Sequence, residues 1–275
     1  MSKVLIYGNG KSRLEFDVTK KFKNIITWGC NKIHHETKVD NLVAVDYLAQ
    51  QEIYQSGYAK ENTCWFLDWN ELPKKFIEKP AFGSRHLELL KLGFNEDQIF
   101  ENSKEGKTRC VVQGKNPRTA EHKFIDLLDD KMSKDEVKQL KHKCMRNTGL
   151  YITWLDKEDK VYNIEEFTGH SSGSTAMYLA CSQEYYVDEV FLLGFDLSIE
   201  NKPHSNVYLL DDYKLGFDST TWQNQMKTVM KKFKDVKFHW VSPQEHENNF
   251  RGIHNLDFIT IKNLKKQIDQ EEKIW

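Results

Sequence analysis

One pattern constrains this chain more than any other. Short, β-rich apolar runs recur, each stops abruptly at glycine, asparagine or aspartate, and helical spacing fills some of the intervals. Lys3 to Tyr7 ends at Gly8-Asn9-Gly10, Asn24 to Trp28 at Gly29-Cys30-Asn31, Asn41 to Val45 at Asp46, and Cys64 to Leu67 at Asp68. Apolar side chains on consecutive positions suit strands covered on both faces, the condition of a parallel sheet between helices. Tyr47 to Tyr58 has helical spacing. The pattern returns late, with Gly149 to Leu155, Glu189 to Leu193 ending at Gly194-Phe195-Asp196, and Val236 to Val241 stopped by Ser242-Pro243. Ser174 to Gln183 reads as an apolar helix, Ser219 to Lys232 as a helix capped by Ser219 or Thr220, and Phe258 to Glu271 as a charged terminal helix. The expected fold class is α/β: a Rossmann-like, doubly wound, mainly parallel sheet.

The middle breaks this rhythm. Pro73, Pro80 and Pro117 punctuate it, and Glu121 to Leu140 reads as one highly charged helix. A polar helical and loop insertion over 73–148, a lid or acceptor-binding region, is expected inside a nucleotide-binding domain made of 1–72 and 149–275. A mobile loop is expected near Asn102 to Lys107.

With 275 residues, 39% hydrophobic and 12% aromatic, the chain has ample material for such a core. Net charge is −1 and mean hydropathy −0.68, which excludes a uniformly basic nucleic-acid coat but not a local patch. The five cysteines are widely spaced, with no Cys-x-x-Cys, so neither a zinc ribbon nor a disulfide scaffold is indicated and reduced thiols in a cytoplasm are expected. The opening apolar run is too short for a signal peptide, and no stretch of about 18 apolar residues offers a membrane span.

In a doubly wound sheet, ligands bind beyond the carboxyl ends of the strands. Several strand ends here are polar or glycine-rich at once. Gly8, Gly10 and Gly194 would let backbone approach a phosphate and adopt positive φ, Asn9 and Asn31 bring neutral amide donors, and Asp46 and Asp196 add carboxylates. Ser171-Ser172-Gly173 opens a helix whose free N–H groups and dipole favour an anion. Taken singly, each has a plainer reading as a turn or helix cap. Together they describe a nucleotide or nucleotide-sugar pocket.

Several chemistries lack their signatures. There is no G-x-x-x-x-G-K-[ST] and no H-E-x-x-H, and Arg13 occupies the third glycine position of a dinucleotide fingerprint. No Asp-x-Asp occurs to hold a divalent metal on a diphosphate, so no metal ligand is assigned and a metal-independent pocket is expected.

Lys3 to Ser12, Cys30-Asn31, Ser172-Gly173 with its apolar helix, and Val190 to Asp196 resemble, in order and spacing, the bacterial lipooligosaccharide sialyltransferases of glycosyltransferase family 42. The Trp28-Gly29-Cys30-Asn31 segment also looks like phage-encoded relatives. The resemblance covers both ends of the sheet, about half the chain, and does not extend to the middle. It implies a Rossmann-like fold, a CMP-sugar donor and no essential metal. It further implies that Asn9 and Asn31 contact the nucleotide's phosphate or sugar, and that Ser171, Ser172 and Gly173 line its site. Asp46 stands where the family has asparagine, a poor neighbour for the carboxylate of sialic acid, so a neutral sugar on CMP, UDP or GDP is as well matched. The family's histidine before the late helix is missing from Leu215 to Ser219. General-base candidates are then His204, Asp218 and His170. Tyr208 and Tyr213 are candidates to donate to the leaving phosphate.

The expected reaction is sugar transfer from a nucleotide sugar to an acceptor hydroxyl, with no tightly bound cofactor. The acceptor would be a hydroxymethylated base in phage DNA, otherwise a glycan. Arg85, Arg109, Lys115 and Arg118, with Lys104 and Lys107, could follow a phosphate backbone, and Trp65, Trp69 and Phe82 could stack on a flipped base. The alternatives are a nucleotide-binding interaction or sensing protein with a decayed transferase site, and a pterin pyrophosphokinase-like enzyme. The latter needs ATP, a divalent metal and an acidic cluster that the sequence does not assemble.

Overall fold

A computed structural model describes residues 2–22, 24–72, 90–91, 93–102, 104–145, 148–165, 171–183, 186–197, 206–208, 219–241 and 244–269. The chain forms two compact units, Met1–Leu67 with Lys160–Trp275, and Asp68–Asp159.

The first unit carries an eight-stranded sheet: β1 (Ser2–Tyr7), β2 (Ile25–Cys30), β3 (Asn41–Ala44), β4 (Thr63–Phe66), β8 (Val161–Asn163), β9 (Val187–Leu193), β10 (Lys237–Val241) and β11 (Leu256–Ile259). Its order is β11-β10-β9-β1-β2-β3-β4-β8, and each neighbouring pair is parallel. The expected α/β, Rossmann-like architecture is therefore present. Val4 to Tyr7 in β1 and Val190 to Leu193 in β9 are buried throughout, as strands covered on both faces must be. Their side chains alternate: Val4, Ile6, Val190 and Leu192 enter one core cluster, and the residues between them face the other way.

Helices follow the same logic. Helix α1 (Tyr47–Gln55) joins β3 to β4. Helix α4 (Ser172–Gln183) is buried on nearly every side from Ser172 to Ala180, because it lies on β1, β2, β3 and β9 and carries α5 (Thr220–Lys232) on its outer side. Helix α5 is amphipathic and buries Gln225, Met226, Val229 and Met230. Helix α6 (Ile261–Asp269) buries Ile261, Leu264 and Ile268 and exposes its lysines. The expected terminal helix from Phe258 thus begins later: Leu256–Ile259 pairs with β10 as an edge strand. Its apolar residues are too few to separate from the helix by periodicity.

The second unit has its own three-stranded sheet, order β5-β7-β6, built from β5 (Ile99–Glu101), β6 (Arg109–Lys115) and β7 (Gly149–Leu155). Strand β7 is central, parallel to β5 and antiparallel to β6, and Phe94, Cys110, Leu150, Ile152 and Trp154 form a small core. This corrects the expected boundary at 149: residues 149–159 belong to the insertion, because the partners of β7 lie there. The single expected helix over 121–140 is two helices, α2 (Pro117–Asp126) and α3 (Lys134–Met145). Asn116 caps α2 by accepting from the Arg118 N–H, with Pro117 in the first turn. Ser133 and Glu136 form a capping box on α3. The segment expected to be mobile is tied at both ends. Asn102 exchanges hydrogen bonds with the Trp154 backbone, at 2.5 and 3.3 Å, and Lys107 pairs with Asp156.

Candidate functional site

The strand order reverses between β1 and β9: successive strands run outward to β4 on one side and to β11 on the other. At the carboxyl ends of such a switch point the loops diverge and leave a crevice. A cleft of about 170 Å³ lies here, entirely within the first unit, and the ends of β1, β2, β3 and β9 all reach it.

The two central loops are held against each other. The Gly8 N–H donates to the Leu193 carbonyl and the Gly10 N–H to the Gly194 carbonyl, both at 2.8 Å. A Cβ on Gly8 would lie 2.3 Å from the Gly194 carbonyl oxygen, so only glycine permits the approach. Gly194 has φ +77°, but Gly10 has φ −70°. The expectation of positive φ thus holds at Gly194 and fails at Gly8 and Gly10, because the β1 loop needs closeness to another loop rather than a left-handed turn. Asp196 also lines the cleft, with its carboxylate accepting from the Ser12 N–H at 2.8 Å and from the Ser12 hydroxyl. It therefore secures the 3-10 turn Lys11–Glu15 after β1. Asn9 brings in a further segment, since its carbonyl accepts from the Val207 N–H at 2.8 Å and Asn206 reaches the cleft. The Asn9 side-chain oxygen is buried and has no hydrogen-bond partner among the described residues.

On the β2 side the controlling residue is Asn31, a non-glycine residue at φ +49°. Asparagine tolerates this region better than most residues, and such an outlier beside a cleft is characteristic of functional sites. Its carbonyl bonds the His34 ring at 3.0 Å, and its side-chain oxygen accepts from the Ser172 hydroxyl at 2.8 Å. Ser172 is 5% exposed and also accepts from the Val45 N–H at 3.2 Å. One buried hydroxyl therefore joins the ends of β2 and β3 to the start of α4. Because Asn31 spends its oxygen on Ser172, its amide donors are left for the cleft.

The start of α4 is the strongest positive feature of the lining. The first N–H groups of a helix have no intrahelical partner. Ser171 takes up one of them by accepting from the Ser174 N–H at 3.2 Å, and those of Ser172 and Gly173 begin the helix at the cleft. Gly173 fits because its missing Cβ would lie 2.9 Å from the Phe195 ring. Described lining residues include Asp46 and Asp196 but no lysine or arginine, so an anion here would be held by backbone N–H groups, amides and hydroxyls. Asp46 is exposed and precedes α1 without a side-chain cap bond, contrary to its plainer reading as a cap. Cys30 also lines the cleft, but burial pushes its thiol up to about 12, which keeps it protonated at neutral pH and unsuited to nucleophilic work.

The sequence reading missed the apolar wall. Phe195, Leu197, Trp222 and Met226 line one side. Trp222 and Met226 are four residues apart on α5, and that i, i+4 spacing in the first turns of a helix leaving the sheet was the available signal.

Tyr208 is elsewhere. Its hydroxyl lies 2.9 Å from an Arg13 nitrogen and donates to Glu36, and it does not line the cleft. Arg13 is 1% exposed and forms a bidentate pair with Glu36 at 2.6 and 2.8 Å. Burial works against the Arg13 charge, but Glu36 and Tyr208 more than offset it and hold the guanidinium above its ordinary value. The same bond to Arg13 keeps Glu36 below the usual carboxylate range. Arg13 thus fills the place of a third glycine because a short 3-10 turn, not a long helix, follows β1.

Of the expected donor-site residues, Gly8, Asn9, Gly10, Asn31, Asp46, Ser171, Ser172, Gly173, Gly194 and Asp196 come together at the cleft. His204, Asp218, His170, Tyr213, Arg85 and Phe82 lie outside the described residues. The expected basic surface is largely committed within the second unit. Arg109 pairs with Glu71 and bonds the carbonyls of Asp156 and Asp159, Lys115 donates to the Cys144 carbonyl, and the Arg118 chain packs against Gly93. Trp69 is 2% exposed, and Trp65 stacks on Trp28 and donates to Asn41, so neither ring is presented to a base.

No helix among the described residues is long and apolar enough to cross a membrane. No family model, curated protein or solved structure matches the chain.

Proposed function

We propose that the cleft binds a nucleotide sugar and that the protein transfers the sugar to an acceptor hydroxyl. The observation that carries this reading is the convergence, at the switch point of a parallel sheet, of the α4 N-terminus with the Asn31 amide and the Asn9 loop. Such an arrangement favours a phosphorylated ligand without requiring a basic side chain. A volume of about 170 Å³ is below the roughly 300–1,000 Å³ that encloses a drug-sized ligand. It accommodates the phosphoryl–sugar portion and leaves the remainder along the rim of a lining that includes Trp222.

Asp46 is suited to hydroxyl groups of a neutral sugar, which its carboxylate would accept, and it disfavours an acidic donor. The choice of sugar transfer over other nucleotide chemistry rests on the family resemblance of the strand-end segments, and the candidates for general base remain His204, Asp218 and His170.

The test is a thermal-shift and calorimetric screen of CMP-, UDP- and GDP-sugars, with chromatographic detection of released nucleotide. Saturable binding with slow donor hydrolysis, both lost in Asn31→Ala, supports the proposal. Absence of stabilisation by every donor at saturating concentration refutes it. Tight binding with the donor unchanged after long incubation would replace it with a nucleotide-binding protein.

A further inference from the structure

A second cluster lies on the turn after β2, separate from the cleft lining. The 3-10 turn Asn31–His35 and helix α1 bring His34, His35 and Glu52 together so that one donor atom from each lies within 4.8 Å of the others. None of the three lines the cleft. The His35 Nε2 is 2.7 Å from a Glu52 carboxylate oxygen, and the two imidazole centroids are 4.1 Å apart.

The His34 ring is already oriented in a way that suits a ligand. Its Nδ1 lies 3.0 Å from the Asn31 carbonyl, which can only accept, so the proton resides on Nδ1 and Nε2 carries the lone pair. Metal-bound histidines are commonly fixed by such a bond from the other ring nitrogen to a carbonyl. The His34 Nε2 is buried and has no hydrogen-bond partner among the described residues, an arrangement that a buried polar atom rarely keeps without cause. Its ring also packs edge-on against Tyr58, with centroids 5.6 Å apart, which limits its freedom to turn toward water.

We propose that His34, His35 and Glu52 form a site for a divalent transition metal of the zinc class, with three protein ligands and at least one open position. Two imidazoles and a carboxylate are a donor set that such ions accept. His35 and Glu52 are 48% and 38% exposed at their side chains, so both can rotate to shorten their distances to the ion. Lys32 opposes it: its ammonium is 3.5 Å from the second Glu52 oxygen and must give way when the metal binds. The consequence for the molecule runs through Asn31, whose carbonyl holds His34 and whose side chain faces the cleft. A metal here would stiffen the strained turn that positions that side chain. It is not a metal placed to hold a diphosphate, and the site is independent of the nucleotide-sugar reading.

The experiment uses the full chain, freed of any affinity tag and of metal, titrated with Co(II) as the visible-absorption probe and then with zinc in competition. The expected result is one saturable Co(II) site per chain with a d–d spectrum that zinc abolishes. His35→Ala and Glu52→Gln should each weaken binding by about tenfold or more, and both are exposed enough to leave folding intact. Lys32→Met should strengthen it severalfold. Absence of saturable binding overturns the proposal. So does equal binding by the wild-type, His35→Ala and Glu52→Gln proteins, which would place the ion on other residues.

Discussion

Ser172→Ala is the most searching perturbation of the cleft, because one hydroxyl serves two buried connections. Its removal leaves the Val45 N–H without a partner at a position only 9% exposed, and takes from Asn31 the donor to its side-chain oxygen. An unsatisfied buried donor costs about 1–3 kcal/mol, and the partly accessible bond to Asn31 about 0.5–1.5 kcal/mol. The expected loss is therefore about 2–4 kcal/mol, measured by urea unfolding followed by circular dichroism. Ser171→Ala is the matched control on the same helix. It removes the cap on Ser174 and should cost about 1 kcal/mol. The decisive measurement is a double-mutant cycle of Ser172→Ala with Asn31→Ala. Residues in direct contact couple by about 0.5–3 kcal/mol, whereas independent sites add to within about 0.3–0.5 kcal/mol. Additivity inside that limit would refute the reasoning that the hydroxyl clamps Asn31 in its left-handed conformation.

Three other contacts give further expected outcomes. Gly8→Ala forces a methyl group to 2.3 Å from the Gly194 carbonyl oxygen, so the β1 and β9 loops must separate; about 1–3 kcal/mol of stability and the binding of any cleft ligand should be lost together in parallel melts and titrations. In the Arg13–Glu36 pair, Glu36→Gln should destabilise more than Arg13→Met in denaturant titrations, because the guanidinium is 1% exposed and the carboxylate 31%, and only the carboxylate can recover water when its partner is gone. His239, buried in β10 and stacked on Phe191, is held below its ordinary value of 6.5 by desolvation, against the pull of Glu189 at 3.8 Å. The unfolded chain then binds more protons than the folded one as pH falls below about 6.5, so stability declines with acidification; His239→Phe should flatten that slope in urea melts, and an unchanged slope would exclude His239 as its source.

The sheet was legible because parallel strands covered on both faces leave an uninterrupted apolar signature, and strands β1, β2, β3, β4, β9 and β10 carry it. Strand β11 escaped because its Leu256-Asp257-Phe258-Ile259 run merges into the helical spacing that follows. The unit boundary was misplaced for a related reason: Gly149 to Leu155 is as apolar as any strand of the main sheet, and its assignment depends on its pairing with β5 and β6. The apolar wall of the cleft, Trp222 and Met226, was hidden because those residues read equally well as ordinary core of an amphipathic helix.

By itself, the sequence determined the α/β class and the set of polar strand ends, since both depend on local chain chemistry: burial on two faces, and residue types that stop a strand. Only the tertiary structure decided which ends meet. The reversal of strand order between β1 and β9 draws Gly8, Asn31, Ser172 and Gly194 to one crevice, while Tyr208 goes to Arg13 and Glu36. It also decided why the glycines are there, because the need at Gly8 arises from a backbone carbonyl 186 positions away in sequence, beyond the reach of local pattern.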